Sequence, residues 1–403
     1  MIFFPNMREK NSYSLTKDES ILIGFDACHT IAKLFLGTFV VSFLMHNSIN
    51  EIVSVSIYKL FYYIAITLTY ILCANWCKNG NKNVLFGFNI VTRFVLMALI
   101  AILGVKAIDY VVILGILYGI FGGFYFLPIN SMIIEKISGE RMQYFISIKS
   151  AISNTFKIVF PVILGILITI QSLQNVAWVI MGISVAEFIM LLLLSPNMHR
   201  KKQPVDLIGF WNHALQHIIL RKLFLAEILR GLATVLETVV TMYIVYVFHT
   251  DMNLGIWTTI FAICTIVASW AFGRFCSKRD YKWVIGLCSL MLLFAAVLLF
   301  TNVTQFSTLV YAFASTICIE IMAQICNTNV FNIAHKRYIN CGYSTEYLVI
   351  REILLFVGRW TAFISLAYLG VSNMNNLLGY YIIVAVIAQI IGSVLISSLT
   401  KKI

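Results

Sequence analysis

The chain has 403 residues, of which 60% are hydrophobic and only 11% charged, and its mean hydropathy is +0.90. Water-soluble domains carry about 45–50% apolar and about 25% charged residues, so this composition excludes an ordinary soluble fold. The formal net charge of +12 comes from short basic clusters between apolar runs rather than from one basic face, and no nucleic-acid partner is expected.

Residues 1–20 are polar and mix Arg8, Lys10 and Lys17 with Glu9, Asp18 and Glu19, which reads as a polar leading segment and not as a signal peptide. Twelve apolar stretches follow, at about 21–46, 51–75, 84–104, 109–134, 145–170, 174–195, 223–249, 254–275, 282–301, 306–333, 346–371 and 376–399. About 20 apolar residues suffice to cross a bilayer, and only a helix pairs all of its backbone polar groups within one such run. The predicted fold is therefore an all-α integral membrane protein with twelve transmembrane helices, spans 1 to 12. The longest connector, 196–222, separates a half at 21–195 from a half at 223–403. Within it Leu207, Ile208, Trp211, Leu215 and Ile218 recur at helical spacing beside His213 and His217, which predicts a short helix lying in the membrane interface.

Lys and Arg in the connectors set the orientation. The N-terminal segment, the even-to-odd connectors and the C-terminus hold 20 of them, whereas the odd-to-even connectors hold only Lys106. The excess places both termini in the cytoplasm, with the cell membrane as the expected location. The nine cysteines lie mostly inside apolar runs without CxxC or Cys/His spacing, so they read as small buried hydrophobes, and no metal or cofactor is expected.

Several features recur at one offset. Lys149 and Lys157 of span 5 match Arg351 and Arg359 of span 11 at 202 residues, and Asp26 and Lys33 of span 1 match Arg230 and Glu237 of span 7 at 204 with the signs exchanged. Lys82 and Lys282 follow spans 2 and 8 at an offset of 200, and Cys77 and Cys276 sit at 199. Such repetition suggests two related six-helix halves.

With six plus six spans, cytoplasmic termini and a long central connector, the chain resembles the major facilitator superfamily over nearly its full length. The family's loop motif after spans 2 and 8, G-x-x-x-D-R-x-G-R-K, survives only in its basic residues, in Ala74 to Lys82 and in Gly273 to Lys282, without the usual acid. The span 5 motif of the family's drug antiporters, G-x-x-x-G-P-x-x-G-G, keeps Pro161 but has Phe160 before it and Gly165 displaced. The resemblance implies alternating access, with two halves rocking about a site near the midplane. It also implies spans 1, 4, 7 and 10 around the cavity, with 2, 5, 8 and 11 beside them.

Charge in hydrocarbon is costly, so ionisable residues inside spans are functional candidates. There are eight bases, Lys33, Lys59, Arg93, Lys149, Lys157, Arg230, Arg351 and Arg359, and six acids, Asp26, Glu187, Glu227, Glu237, Glu320 and Glu352. By depth, Lys33, Lys157, Glu237, Glu320 and Arg359 lie near the midplane, and Asp26, Lys149, Arg230 and Arg351 nearer the cytoplasmic mouth. Lys157 and Arg359, mates from opposite halves, form a candidate clamp for an anionic group, joined by Lys33. The competing reading pairs Lys157 with Glu320, or Arg359 with Glu237. Glu237 and Glu320 are candidates for proton coupling, Asp26, His29 and Lys33 for a short relay, and Arg230 for gating. Gln324 and Asn327 continue a polar stripe from Glu320 along span 10 and can fix a polar solute, while Arg93 and Glu187 are expected to form a structural pair. Tyr58, Tyr62 and Tyr63 flank Lys59 and fit cavity or core equally, and the glycines of span 4 suit helix packing.

The expected function is secondary active transport of a small, polar, anionic or zwitterionic organic solute, coupled to protons, by a monomer in the lipid bilayer. The alternative is an exporter or flippase of amphiphiles on the same fold. The connectors hold no catalytic constellation, so an enzyme is not expected.

Overall fold

A computed structural model describes residues 15–136, 139–195, 203–248, 250–276, 280–338, 342–372 and 377–399, and every regular element among them is helical. Span 1 is Lys17–Asn47, span 2 Glu51–Asn79, span 3 Lys82–Leu103, span 4 Val111–Lys136, span 5 Gly139–Gln171 and span 6 Leu173–Leu193. A connector helix, Leu207–Gln216, precedes span 7 at Ile218–Phe248 and span 8 at Asp251–Phe275. Spans 9 to 12 are Tyr281–Thr301, Gln305–Tyr338, Ser344–Val371 and Leu378–Leu399. The shortest spans have 21 residues, and at about 1.5 Å per residue these match the roughly 30 Å hydrocarbon layer.

Local chemistry sets the helix starts. Thr16 and Glu19 form a reciprocal capping box at span 1, while the Asn50, Asp206 and Thr250 side chains cap span 2, the connector helix and span 8. Spans 3 and 4 are joined without a loop by a 3₁₀ stretch, Gly104–Tyr110, in which Gly104 takes φ 54°, a value open to glycine.

Span 2 packs along span 4 and span 3 along span 6 in the first half; span 7 packs along spans 11 and 12, and span 9 along span 10, in the second. Two seams join the halves, span 2 against span 11 and span 5 against span 8. The second seam is tight because it is lined by glycine: a methyl group on Gly255 would lie 2.4 Å from the Pro161 carbonyl oxygen. The outward faces carry exposed Leu72, Ile102, Leu192, Trp283, Phe294 and Val384, an apolar coat that lipid solvates and water would not.

Both ends of the bundle are tied across the halves. At the end distant from Lys17, Ser42 Oγ donates to Asp251 Oδ1 at 2.5 Å and Asn50 Nδ2 to the Gly370 carbonyl at 3.1 Å. At the terminal end, the Lys78 ammonium bonds Glu346 of span 11 and the Pro204 carbonyl, and Glu346 also accepts from the Asp206 amide at 3.2 Å. The acid missing from the loop motif after span 2 has a substitute, because buried Lys82 bonds Glu135 at the end of span 4. The second copy of that motif lies partly outside the described residues.

Two spans expected as unbroken helices are interrupted. Span 1 makes a π-helical turn at Phe35–Phe39, and span 7 breaks at Thr234, between Ile218–Ala233 and Val235–Phe248. A π-turn loosens the carbonyl ladder, and the buried Tyr58 hydroxyl takes up the Leu36 carbonyl at 3.0 Å. The interruptions flank Lys33 and Glu237, the positions that the internal repeat equates.

Candidate functional site

Charges within the spans divide into two groups. In the first, each has its partner. Arg93 and Glu187 meet at 2.6 Å with no exposure of either side chain, and Arg93 Nε adds a bond to Ser184 at 3.0 Å. Asp26 receives the Lys149 ammonium at 3.0 Å and the Tyr125 hydroxyl. Glu227 receives Arg351 at 2.9 Å and Arg230 at 3.2 Å, and both guanidiniums reach Asn327 Oδ1, at 3.3 and 3.2 Å. Arg359 bonds Glu352 on its own helix and lies over the Tyr63 ring, 4.6 Å from its centroid.

Lys33, Lys59, Lys157, Glu237 and Glu320 form the second group, and among the described residues none of them has an ion-pair partner within 4.0 Å. They nevertheless share one interior region. The charges acting on Lys33 are, strongest first, Glu237, Lys157, Glu320 and Asp26, and those acting on Lys59 are Glu237 and Lys33. Lys33 and Glu237 are exposed although they lie deep in their helices. Lys59 is buried with its ammonium about 6 Å from the Tyr58 and Tyr118 rings.

Lys157 and Glu320 line the same cavity of about 140 Å³, together with Asn154 of span 5, Thr316 of span 10, Thr38 of span 1 and Thr258 and Thr265 of span 8. The sequence puts these two residues at similar depth, and the fold brings both into the lining of one cavity without pairing them. Gln324 holds the Glu320 carboxylate, donating to Oε1 at 3.2 Å and to Ser269 Oγ at 3.0 Å.

Other candidates sit elsewhere. Arg359, expected opposite Lys157, is instead held by Glu352, and no span 11 residue lines the cavity. Asn327, expected to meet solute, has its carbonyl oxygen taken by Arg230 and Arg351, so all three belong to one network around Glu227. His29 does not bridge Asp26 to Lys33 by a hydrogen bond: its ring stacks on Tyr125 at 3.6 Å and Phe121 at 4.6 Å, and its buried Nδ1 has no partner. Tyr125 thus stands between His29 and Asp26. Sequence reasoning missed Tyr125 and Glu352 as partners and the cavity threonines altogether, because a tyrosine or threonine in an apolar run carries no signal of which way it points.

The sequence profile described as Major Facilitator Superfamily matches residues 28–345. Uncharacterized protein YqgE of Bacillus subtilis (strain 168) is 20% identical over 343 residues, which span 84% of this chain and 79% of that protein. Among solved structures, a POT family transporter in complex with 5-aminolevulinic acid superposes with a TM-score of 0.70 at 12% identity, covering 98% of each chain. A bacterial homologue of the iron transporter ferroportin in its inward-facing state gives 0.65 at 15% identity, over 95% of this chain and 98% of that one. The human organic anion transporter MFSD10 gives 0.64 at 11%, over 93% and 98%. Identities this low carry the fold alone. The family match covers most of the chain, and the twelve-helix bundle with its two inter-half seams agrees with it: the chain belongs to the Major Facilitator Superfamily and is a multi-pass membrane protein with a transporter fold.

Proposed function

We propose that this protein is a secondary active transporter that moves a small polar organic solute, anionic or zwitterionic, by alternating access and in exchange or symport with protons. One observation carries the reading: among the described residues, five ionisable side chains, Lys33, Lys59, Lys157, Glu237 and Glu320, lie near one another in the interior without an ion-pair partner. An uncompensated charge in a low-dielectric interior costs several kcal/mol, so a fold keeps such groups only where water or a ligand solvates them. The charges around them have ion-pair partners within 4.0 Å, which supports a different role for these five.

In this reading residues 21–195 and 223–403 are the rocking units, and 196–222 with its interfacial helix is the strap between them. Lys33 and Lys157 attract the anionic group. Glu237, exposed and acting on both Lys33 and Lys59, carries the coupling proton, because a cation held by solute no longer stabilises the carboxylate. The 20 to 1 distribution of connector bases supports cytoplasmic termini in the cell membrane. An organic anion transporter and a transporter holding 5-aminolevulinic acid among the structural neighbours are in keeping with a charged organic solute.

The test is uptake of a panel of labelled amino acids and organic acids into proteoliposomes under an imposed pH gradient. Gradient-driven accumulation is expected, and Glu237→Gln should abolish it while preserving exchange of solute across the membrane. Accumulation in Glu237→Gln equal to that of the parent protein overturns the coupling assignment.

A further inference from the structure

The cavity between Lys157 and Glu320 has a chemical polarity that goes beyond a general affinity for charge. Three of its four threonines, all but Thr38, have spent their protons: Thr258 donates to the Leu254 carbonyl at 2.8 Å, Thr265 to Phe261 at 2.7 Å and Thr316 to Ala312 at 2.6 Å. A hydroxyl has one proton and two lone pairs, so each of these side chains can offer only acceptor oxygen to a guest. Glu320 adds an acceptor of full charge, and Gln324 occupies only its Oε1. That wall calls for a donor-rich cation. Lys157 lines the same space and is a donor with no acceptor of its own among the described residues. The two opposite charges therefore face one cavity without neutralising each other, which a guest carrying both signs would do.

Size narrows the class. A cavity of about 140 Å³ is close to the roughly 150 Å³ space that accommodates benzene, and lies below the roughly 300–1,000 Å³ of drug-sized sites. That volume suits a small solute.

We propose that this cavity is a subsite for a small amino acid, with Glu320 and the threonine oxygens receiving the ammonium and Lys157 the carboxylate. The proposal deepens and rests on the transport reading above, and it moves Glu320 from proton coupling to solute recognition, leaving the proton to Glu237.

Calorimetric titration of the purified protein with alanine, β-alanine and γ-aminobutyrate, against propionate, butyrate and propylamine, tests it. At least one amino acid should bind, and more tightly than each single-charge analogue by about 10- to 150-fold, the range of one lost charge-assisted hydrogen bond. Glu320→Gln should remove that advantage while leaving carboxylate-only binding within about threefold, a change below one such bond. The wild-type comparison needs no variant and so survives a folding defect. Carboxylates that bind as tightly as amino acids, or no binding by any compound at millimolar concentration, overturn the subsite. Flux of organic acids in proteoliposomes alongside such a result would leave transport standing, whereas amino-acid binding without flux of any solute would overturn transport and leave the subsite.

Discussion

Arg93 and Glu187 illustrate how a residue's partners, more than its type, separate structure from function in this interior. Both are fully buried between spans 3 and 6, and their mutual bond and Ser184 replace water. Arg93→Met should destabilise the protein by about 3–5 kcal/mol by stranding the Glu187 carboxylate, whereas Arg93→Met with Glu187→Leu should recover most of that loss. Thermal unfolding in detergent measures both, and equal melting temperatures for the single and double variants would contradict the pairing. The sequence predicts this pair from matching depth on two helices that the family places at the periphery. It does not predict that Asn327 serves Arg230 and Arg351, because the spacing Glu320, Gln324, Asn327 fixes angles along one helix and says nothing of what stands opposite.

At the scale of the helix, close approach is carried by particular glycines. A methyl on Gly358 of span 11 would sit 2.0 Å from the Ile228 carbonyl oxygen of span 7, while one on Gly286 of span 9 would meet nothing within 4 Å. Gly358→Ala should therefore lower stability by about 1–3 kcal/mol through overpacking. Gly286→Ala should be neutral or stabilising by up to about 1 kcal/mol, since alanine is the better helix former. Melting temperatures of the two variants make the comparison, and a reversed order would refute the crossing geometry. Nothing in the sequence distinguishes these two glycines, since both lie in apolar helical runs. The π-turn of span 1 is equally silent: Phe35 to Phe39 has no proline to mark a break, and the turn depends on Tyr58 reaching across from span 2.

At the scale of the whole molecule, alternating access requires the two end seams to open in turn. Ser42 and Asp251 join the halves at one end and Lys78 and Glu346 at the other. Oxidising the pair Ser42→Cys and Asp251→Cys to a disulfide should stop transport, and reduction should restore it; undiminished flux with the bond formed would exclude rocking at that seam. The sequence by itself determined the number of spans, the all-α class, the division into related halves and the expected orientation, because a run of about 20 apolar residues and the bases at its ends are local properties. Its depth arithmetic also singled out Lys33, Lys157, Glu237 and Glu320, but together with Arg359, which the fold pairs with Glu352, and without Lys59. Only the tertiary structure decided which charges are paired and which face the cavity. These spans are apolar toward lipid and toward one another, so periodicity does not reveal the inward face of a helix. Partners such as Glu227 and Arg351, 124 residues apart, meet only once every helix has taken its rotation against its neighbours.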